Sequence, residues 1–281
     1  MATISKKIAE LLPSVFEVDP PSIRGDDPVV LTASFIKNIE VHFLPAGKKF
    51  PSRRVELANV TLHPAYGSYG ILKRVVDSEP KEYYRTLWSK SSDVLIWIGS
   101  CKFEQPFDDL LEAFSYTKFG GVRVTKGHLE ALVTLGDVAG LISEGKLSTH
   151  TTTEEVSSVP IAISKDRPII EAIRKMMDHN VRRLFVEKEQ GKFISDRVLV
   201  DHMFSPQRLS VARDHPELWI DETVEKLGTK SPVRCKSGSL DEASRLMGPA
   251  PDDCLMTDDW RVVSRWDLVV KPWRAGKLDA A

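Results

Sequence analysis

The apolar positions of this chain fall into a pattern that repeats. In SKDRPIIEAIRKMMDHN (164–180), Ile169, Ile170, Ile173, Met176 and Met177 lie on one stripe at helical spacing. Asp166 is placed to cap that helix, and Pro168 is tolerated in a first turn. A short apolar run at 159–163 precedes it. Residues 181–186, a polar turn at Gly191, residues 192–194 and a brief second helix follow. The predicted order is strand, helix, strand, strand, helix.

The same order recurs three more times. At 231–270, Leu240, Ala243, Leu246 and Met247 supply the stripe, and Ser239 with Glu242 reads as a capping box. At 92–142 the stripe is Phe107, Leu110, Leu111 and Phe114, with strands at 122–124 and 129–133. The faintest copy begins near Ser14. There Asp27 and Pro28 open a helix carrying Val29, Ala33 and Ile36, and VHFLPA and RRVELANV read as strands. Aligned on the hydroxyl that ends the last strand, the copies give Thr61, Thr134, Ser195 and Ser264, a unit of about 70 residues.

One such unit exposes a strand face and a helix stripe that it cannot cover alone, so units must pair. The expected grouping is a first pair over 1–147 (units at about 12–80 and 90–147) and a second over 152–281 (units at about 152–205 and 228–272). The Ser- and Thr-rich stretch 144–158 reads as a solvated linker. Residues 205–230 read as a surface wrap with one or two helical turns near DETVEKLG.

VTLGD (133–137) and VSRWD (263–267) share a hydroxyl followed three residues later by an aspartate, each at a predicted strand-to-helix corner. A hydroxyl and free N–H groups at a helix start collect the positive end of the helix dipole, which suits a phosphate. Asp137 or Asp267, one turn on, can accept from both hydroxyls of a ribose. Ser/Thr-x-x-Asp is also an ordinary capping pattern. Ser195 is followed at the third place by Val198 and Thr61 by Pro64, so at most two of four clefts are expected to hold a nucleotide well.

The spacing in VRRLFVEKEQGKFISD, SPVRCKSGSLDEASRLM with WRVVSRWDLV, and LEALVTLGDVAGLI resembles that of cystathionine-beta-synthase (CBS) domains. The resemblance implies an α/β (α+β) fold of four β-α-β-β-α units arranged as two pseudo-symmetric Bateman pairs. It implies regulatory binding of AMP, ADP or ATP, or a ligand like S-adenosylmethionine, with the hydroxyl and aspartate at phosphate and ribose. Ser195 belongs to the same element. Arg182 and Arg183 stand where the family often places bases near phosphates; solvent-facing or paired arginines are the other reading. His42 stands in the corresponding place of the first unit, and Arg123 and Lys126 in the second. Ile96, Trp97, Val233 and Arg234 could flank adenine or simply belong to the core.

Lys and Arg number 39 against 40 Asp and Glu, so no global field favours nucleic acid or anionic lipid. No run approaches a bilayer-spanning length, and the opening stretch lacks the apolar core of an export signal. Cys101, Cys235 and Cys254 sit in or beside apolar runs and read as reduced core residues of a cytoplasmic protein. No phosphate-loop motif, nucleophile elbow or paired-histidine metal motif occurs. The expectation is a non-catalytic adenine-nucleotide sensor that forms a homodimer through its pairs and reports to a target protein. A ligand-free interaction module is the rival.

Overall fold

The strand and helix signals fold into a mixed α/β array in a computed structural model that describes residues 4–36, 43–46, 53–54, 60–117, 119–189, 191–248 and 254–281. His42 and most of RRVELANV lie outside the described residues. The chain opens with α1 (Ile8–Leu11). The first unit then contributes β1 (Ser22–Arg24), α2 (Val29–Ile36), β2 (Leu44–Ala46), β3 (Arg53–Arg54), β4 (Thr61–Ala65) and α3 (Ser68–Val76). The second holds β5 (Ile96–Lys102), α4 (Phe107–Thr117), β6 (Gly121–Lys126), β7 (Leu129–Thr134) and α5 (Leu135–Ser143). After β8 (Leu147–Thr149) and α6 (Thr153–Val156) come β9 (Ala162–Ile163), α7 (Ile169–His179), β10 (Arg183–Val186), β11 (Phe193–Ser195) and α8 (Asp196–Met203). Helix α9 (Pro206–Asp214) leads to β12 (Val233–Cys235), α10 (Leu240–Met247), β13 (Cys254–Thr257), β14 (Val262–Ser264), α11 (Arg265–Arg274) and β15 (Leu278–Ala280).

In units two, three and four the first two strands run parallel across the helix and the third returns antiparallel. This is the crossover-then-hairpin order that the alternation predicts. Unit one joins unit two edge to edge, with β4 antiparallel to β5, giving a five-stranded sheet. Helix α4 lies close on β5 because Gly99 has no side chain. A Cβ there would sit 2.5 Å from that of Ala113.

The two largest cores cross the expected pairs. Val29, Ala33, Ile71 and Leu72 of unit one share a buried cluster with Ile169, Ile173, Met176 and Leu199 of unit three. Phe107, Leu110, Phe114 and Val138 of unit two do the same with Leu240, Met247, Leu268 and Val269 of unit four. The sheet faces close smaller clusters within each pair: Leu44 and Ala65 with Ile96 and Ile98, and Phe185 and Phe193 with Cys254 and Met256. Each unit thus has two apolar faces. The sheet covers its sequence neighbour, while the helix stripe covers the unit two further along. At about 1.5–3 kcal/mol per fully buried large side chain, the helix-borne clusters dominate cohesion. The helix stripes that could have joined two copies are therefore covered within one chain.

Several expectations change. Thr61 begins β4 rather than ending it; the first unit's corner is Gly67, the residue that caps α3, with Gly70 three places on. Residues 4–16 pack on the second unit, with Ile8 fully buried and Phe16 edge-on to Phe103 at 5.0 Å. The linker 144–158 is structured: β8 pairs antiparallel with β15 at the other end of the chain. The 205–230 stretch has the expected helical turn in DETVEKLG, at Val224–Lys226, but it also contains α9 and the buried Trp219, whose indole donates to the Met203 carbonyl at 2.7 Å. Arg208 locks it by donating to the Trp219 carbonyl and pairing with Glu222 at 3.0 Å. Pro168, not Asp166, occupies the cap of α7. Ser239 does cap α10, but through the Asp241 N–H and not in the expected box with Glu242. The three cysteines are buried thiols outside any disulfide. Among the described residues, no helix is long and apolar enough to cross a membrane, and no cluster of His, Cys, Asp and Glu is arranged for a metal.

Candidate functional site

Both repeated pentads are helix starts, because a strand that ends in a hydroxyl leaves that oxygen over the first free N–H groups. Thr134 Oγ1 accepts from the Asp137 N–H at 3.3 Å, and Asp137 Oδ2 accepts from the Thr134 N–H at 2.6 Å and its hydroxyl at 2.7 Å. Ser264 and Asp267 repeat this at 3.4, 2.8 and 2.6 Å. Ser195 caps α8 through the Val198 N–H but has no carboxylate opposite. The capping role is therefore real in both pentads, and the question is whether a second role is added.

The surroundings of the two differ. A cavity of about 530 Å³ is walled by the start of α5 (Thr134, Gly136), by 158–161 and 179–183 of unit three, and by β14 and α11. Thr134, Ser264, Asp267, Arg182 and Arg183 all line it. The two corners thus open into one shared space instead of two separate clefts. Asp137 is outside that lining and exposed. Ser195 is buried under its own helix. Ile96 is a core residue between the first two units, and Val233 is half-exposed on β12, away from this cavity. Arg123 is paired with Glu130 and Lys126 lies over the Phe103 ring, both elsewhere. Arg234 stacks on Trp260 at 4.0 Å.

The charge in the cavity is mainly positive. Among the described residues, Arg182, Arg183, Arg265 and Lys271 line it, against one carboxylate, Asp267, whose Oδ1 is held by Lys271 at 2.7 Å. Lys271 also donates to Ser158 Oγ at 3.0 Å. Two helix starts add about half a positive charge each. Trp266 carries a buried indole N–H on this wall with no acceptor among the described residues, a costly arrangement unless a further group supplies one. The floor is apolar: Pro160, Ile161, Phe185 and Val262.

Arg182 has a further partner. Its Nε donates to Asp196 Oδ2 at 2.8 Å, and Ser68 Oγ donates to the same oxygen at 2.5 Å from the first unit. Burial works to raise the pKa of Asp196. The Arg182 charge, the two hydrogen bonds and the Arg183 charge outweigh it and hold the carboxyl below its ordinary range.

Sequence reasoning missed 158–161, Arg265 and Lys271. One signal was available for the first: SVPI at 158–161 and KSPV at 230–233 stand in equivalent places. Ser158 bridges Val262 as Lys230 bridges Phe193. The counterpart cleft, about 570 Å³, is lined by Val198, His202, Arg208, Glu222, Lys226 and Lys230 among others. His202 there pairs with Glu222 at 2.7 Å in the place that Lys271 holds beside Asp267.

Residues 154–195 match the CBS domain family. The fold superposes on a protein of Methanocaldococcus jannaschii described as a proposed archaeal homologue of g-AMPK, with a TM-score of 0.75 and 13% identity over 94% of this chain and 99% of that one. A CBS-domain protein of Agrobacterium tumefaciens matches 42% of this chain and 97% of its own at 17% identity and a TM-score of 0.32. CBSX2, solved in complex with AMP, matches 48% and 97% at 14% identity and a TM-score of 0.31. No curated protein matches the chain.

Proposed function

We propose that this chain, a CBS-domain protein, is a non-catalytic regulator that binds one adenine nucleotide, AMP, ADP or ATP, in the cavity where its second, third and fourth units meet. The observation that carries the reading is the convergence of Thr134, Ser264 and the basic side chains Arg183, Arg265 and Lys271 on one space beside an apolar floor. The helix starts and guanidinium groups suit phosphates, the apolar floor suits a base, and Asp267 suits a ribose once Lys271 turns from it to the phosphate. The AMP-bound CBS-domain protein named above makes the ligand class a natural first choice.

Such a ligand draws together three units that belong to different sequence pairs, so occupancy favours the closed array by its differential affinity. A target protein that reads this closure completes the regulatory role. Isothermal titration of the full chain with AMP, ADP, ATP and S-adenosylmethionine tests the reading. One site for an adenine nucleotide, with a matching rise in Tm, supports it. No heat and no Tm change with all four overturns it.

A further inference from the structure

At the first helical position after each corner the four units carry Ser68, Leu135, Asp196 and Arg265. The corners meet in twos, α3 against α8 and α5 against α11. Two helix starts brought together each present about half a positive charge, and an anion between them relieves the repulsion.

At α3 and α8 the protein supplies that anion itself. Asp196 is 3% exposed and touches both helix starts, accepting from Ser68 Oγ of α3 and from the Arg197 N–H of α8 at 3.0 Å, while holding Arg182. The third helical positions on this side are Gly70 and Val198, which bring no charge. Arg183 adds its positive field.

At α5 and α11 the arrangement is inverted. The first-position residue is Arg265, so close to the opposing helix that a Cβ on Gly136 would lie 2.9 Å from its Nη1. The acids here, Asp137 and Asp267, sit at the third position; one is exposed and the other is closed onto Ser264 and Lys271. The acid has in effect moved from the third position to the first between one pair of corners and the other.

We infer that Asp196 is a resident anion, filling at the α3 and α8 corners the place that a ligand phosphate takes at the α5 and α11 corners, and so leaving one of the two pairs of corners to a phosphate-bearing ligand. It is a specificity-determining residue that acts through Arg182. The inference rests on the proposed nucleotide reading for the identity of the ligand, but the charge argument stands without adenine.

The test uses inorganic pyrophosphate, which carries no base or ribose, on the full chain. Asp196→Ala is expected to lower Tm in chloride and to regain more of it in pyrophosphate at matched ionic strength than the wild type gains. Asp196→Asn, which keeps the shape, is expected to bind pyrophosphate roughly tenfold more tightly, the scale on which one nearby desolvated charge acts. Ser68→Ala keeps the charge and is expected to bind as the wild type does. Equal Tm gains in wild type and Asp196→Ala, or unchanged or weaker binding by Asp196→Asn, would overturn the inference. If Asp196→Ala folds only when refolded in pyrophosphate, that is rescue; failure to fold in either salt counts against it. A wild type indifferent to all adenine ligands beside a rescued Asp196→Ala removes the nucleotide reading alone, and the converse removes this inference alone.

Discussion

Asp267→Ala and Asp137→Ala are the same substitution at equivalent places in two units, and they should behave differently. Each removes a capping carboxylate that accepts from the N–H and hydroxyl of the residue three before it. Loss of that cap costs about 1 kcal/mol. Asp137 is exposed, so water replaces its bonds and the cost stays near that figure. Asp267 is 7% exposed and also holds Lys271 at 2.7 Å. A charge-assisted contact of this kind adds about 1.5–3 kcal/mol, although Lys271 retains the Val156 carbonyl and Ser158. The expected cost is about 2–4 kcal/mol for Asp267→Ala, or roughly 4–16 °C in Tm at about 2–4 °C per kcal/mol. Differential scanning fluorimetry with and without ADP reads both effects. Asp137→Ala should keep the ligand-induced rise in Tm and Asp267→Ala should lose it. Equal loss in both variants, or a full ligand response in Asp267→Ala, refutes the assignment of the ribose contact to Asp267.

Arg208→Ala strips donors from the Trp219 carbonyl and removes the guanidinium paired with Glu222, which keeps its hydrogen bond with the His202 ring, so a drop of about 3 kcal/mol in urea unfolding is expected; a near-neutral change would mean that 205–230 does not brace unit three. Because Asp196 has a depressed pKa in the folded state, its stabilisation is present above the unfolded value of about 3.9 and is lost as pH falls through the folded one. Denaturation at neutral pH and below pH about 4 should show a shallower acid loss in Asp196→Asn than in wild type, and parallel curves would contradict this. Burial pushes the Cys101 thiol up to about 12 and that of Cys235 to about 11, so neither should be alkylated by iodoacetamide at mildly basic pH until urea unfolds the chain. Rapid labelling of the native protein would show that these segments open freely.

Much of the local architecture is legible in the order of residues. The stripe from Ile169 to Met176 and that from Phe107 to Phe114 become buried helix faces, and Thr134, Ser195 and Ser264 all cap helices as their place at the end of an apolar strand requires. The first unit misled because its corner is Gly67. Glycine caps a helix without a hydroxyl, so the nearest hydroxyl, Thr61, drew the alignment six residues too early. Trp219 misled for another reason. It lies among charged residues with no periodic neighbours, and its polar groups are satisfied on burial by Arg208 and the Met203 carbonyl, distant in sequence, while Phe204 packs edge-on to its ring.

The chain's own order therefore determined the repeated unit, its helix stripes and the chemistry of each corner, because these depend on neighbours within a few bonds or one helical turn. Tertiary structure alone decided that unit one packs its helices on unit three and unit two on unit four, since apolar stripes of similar width are interchangeable until shape selects among them. The same choice brought Thr134 and Ser264, 130 residues apart, to one cavity and left Asp137 outside it. It also set Asp196 between two helix ends, a placement invisible in a linear reading, where its charge opposes theirs.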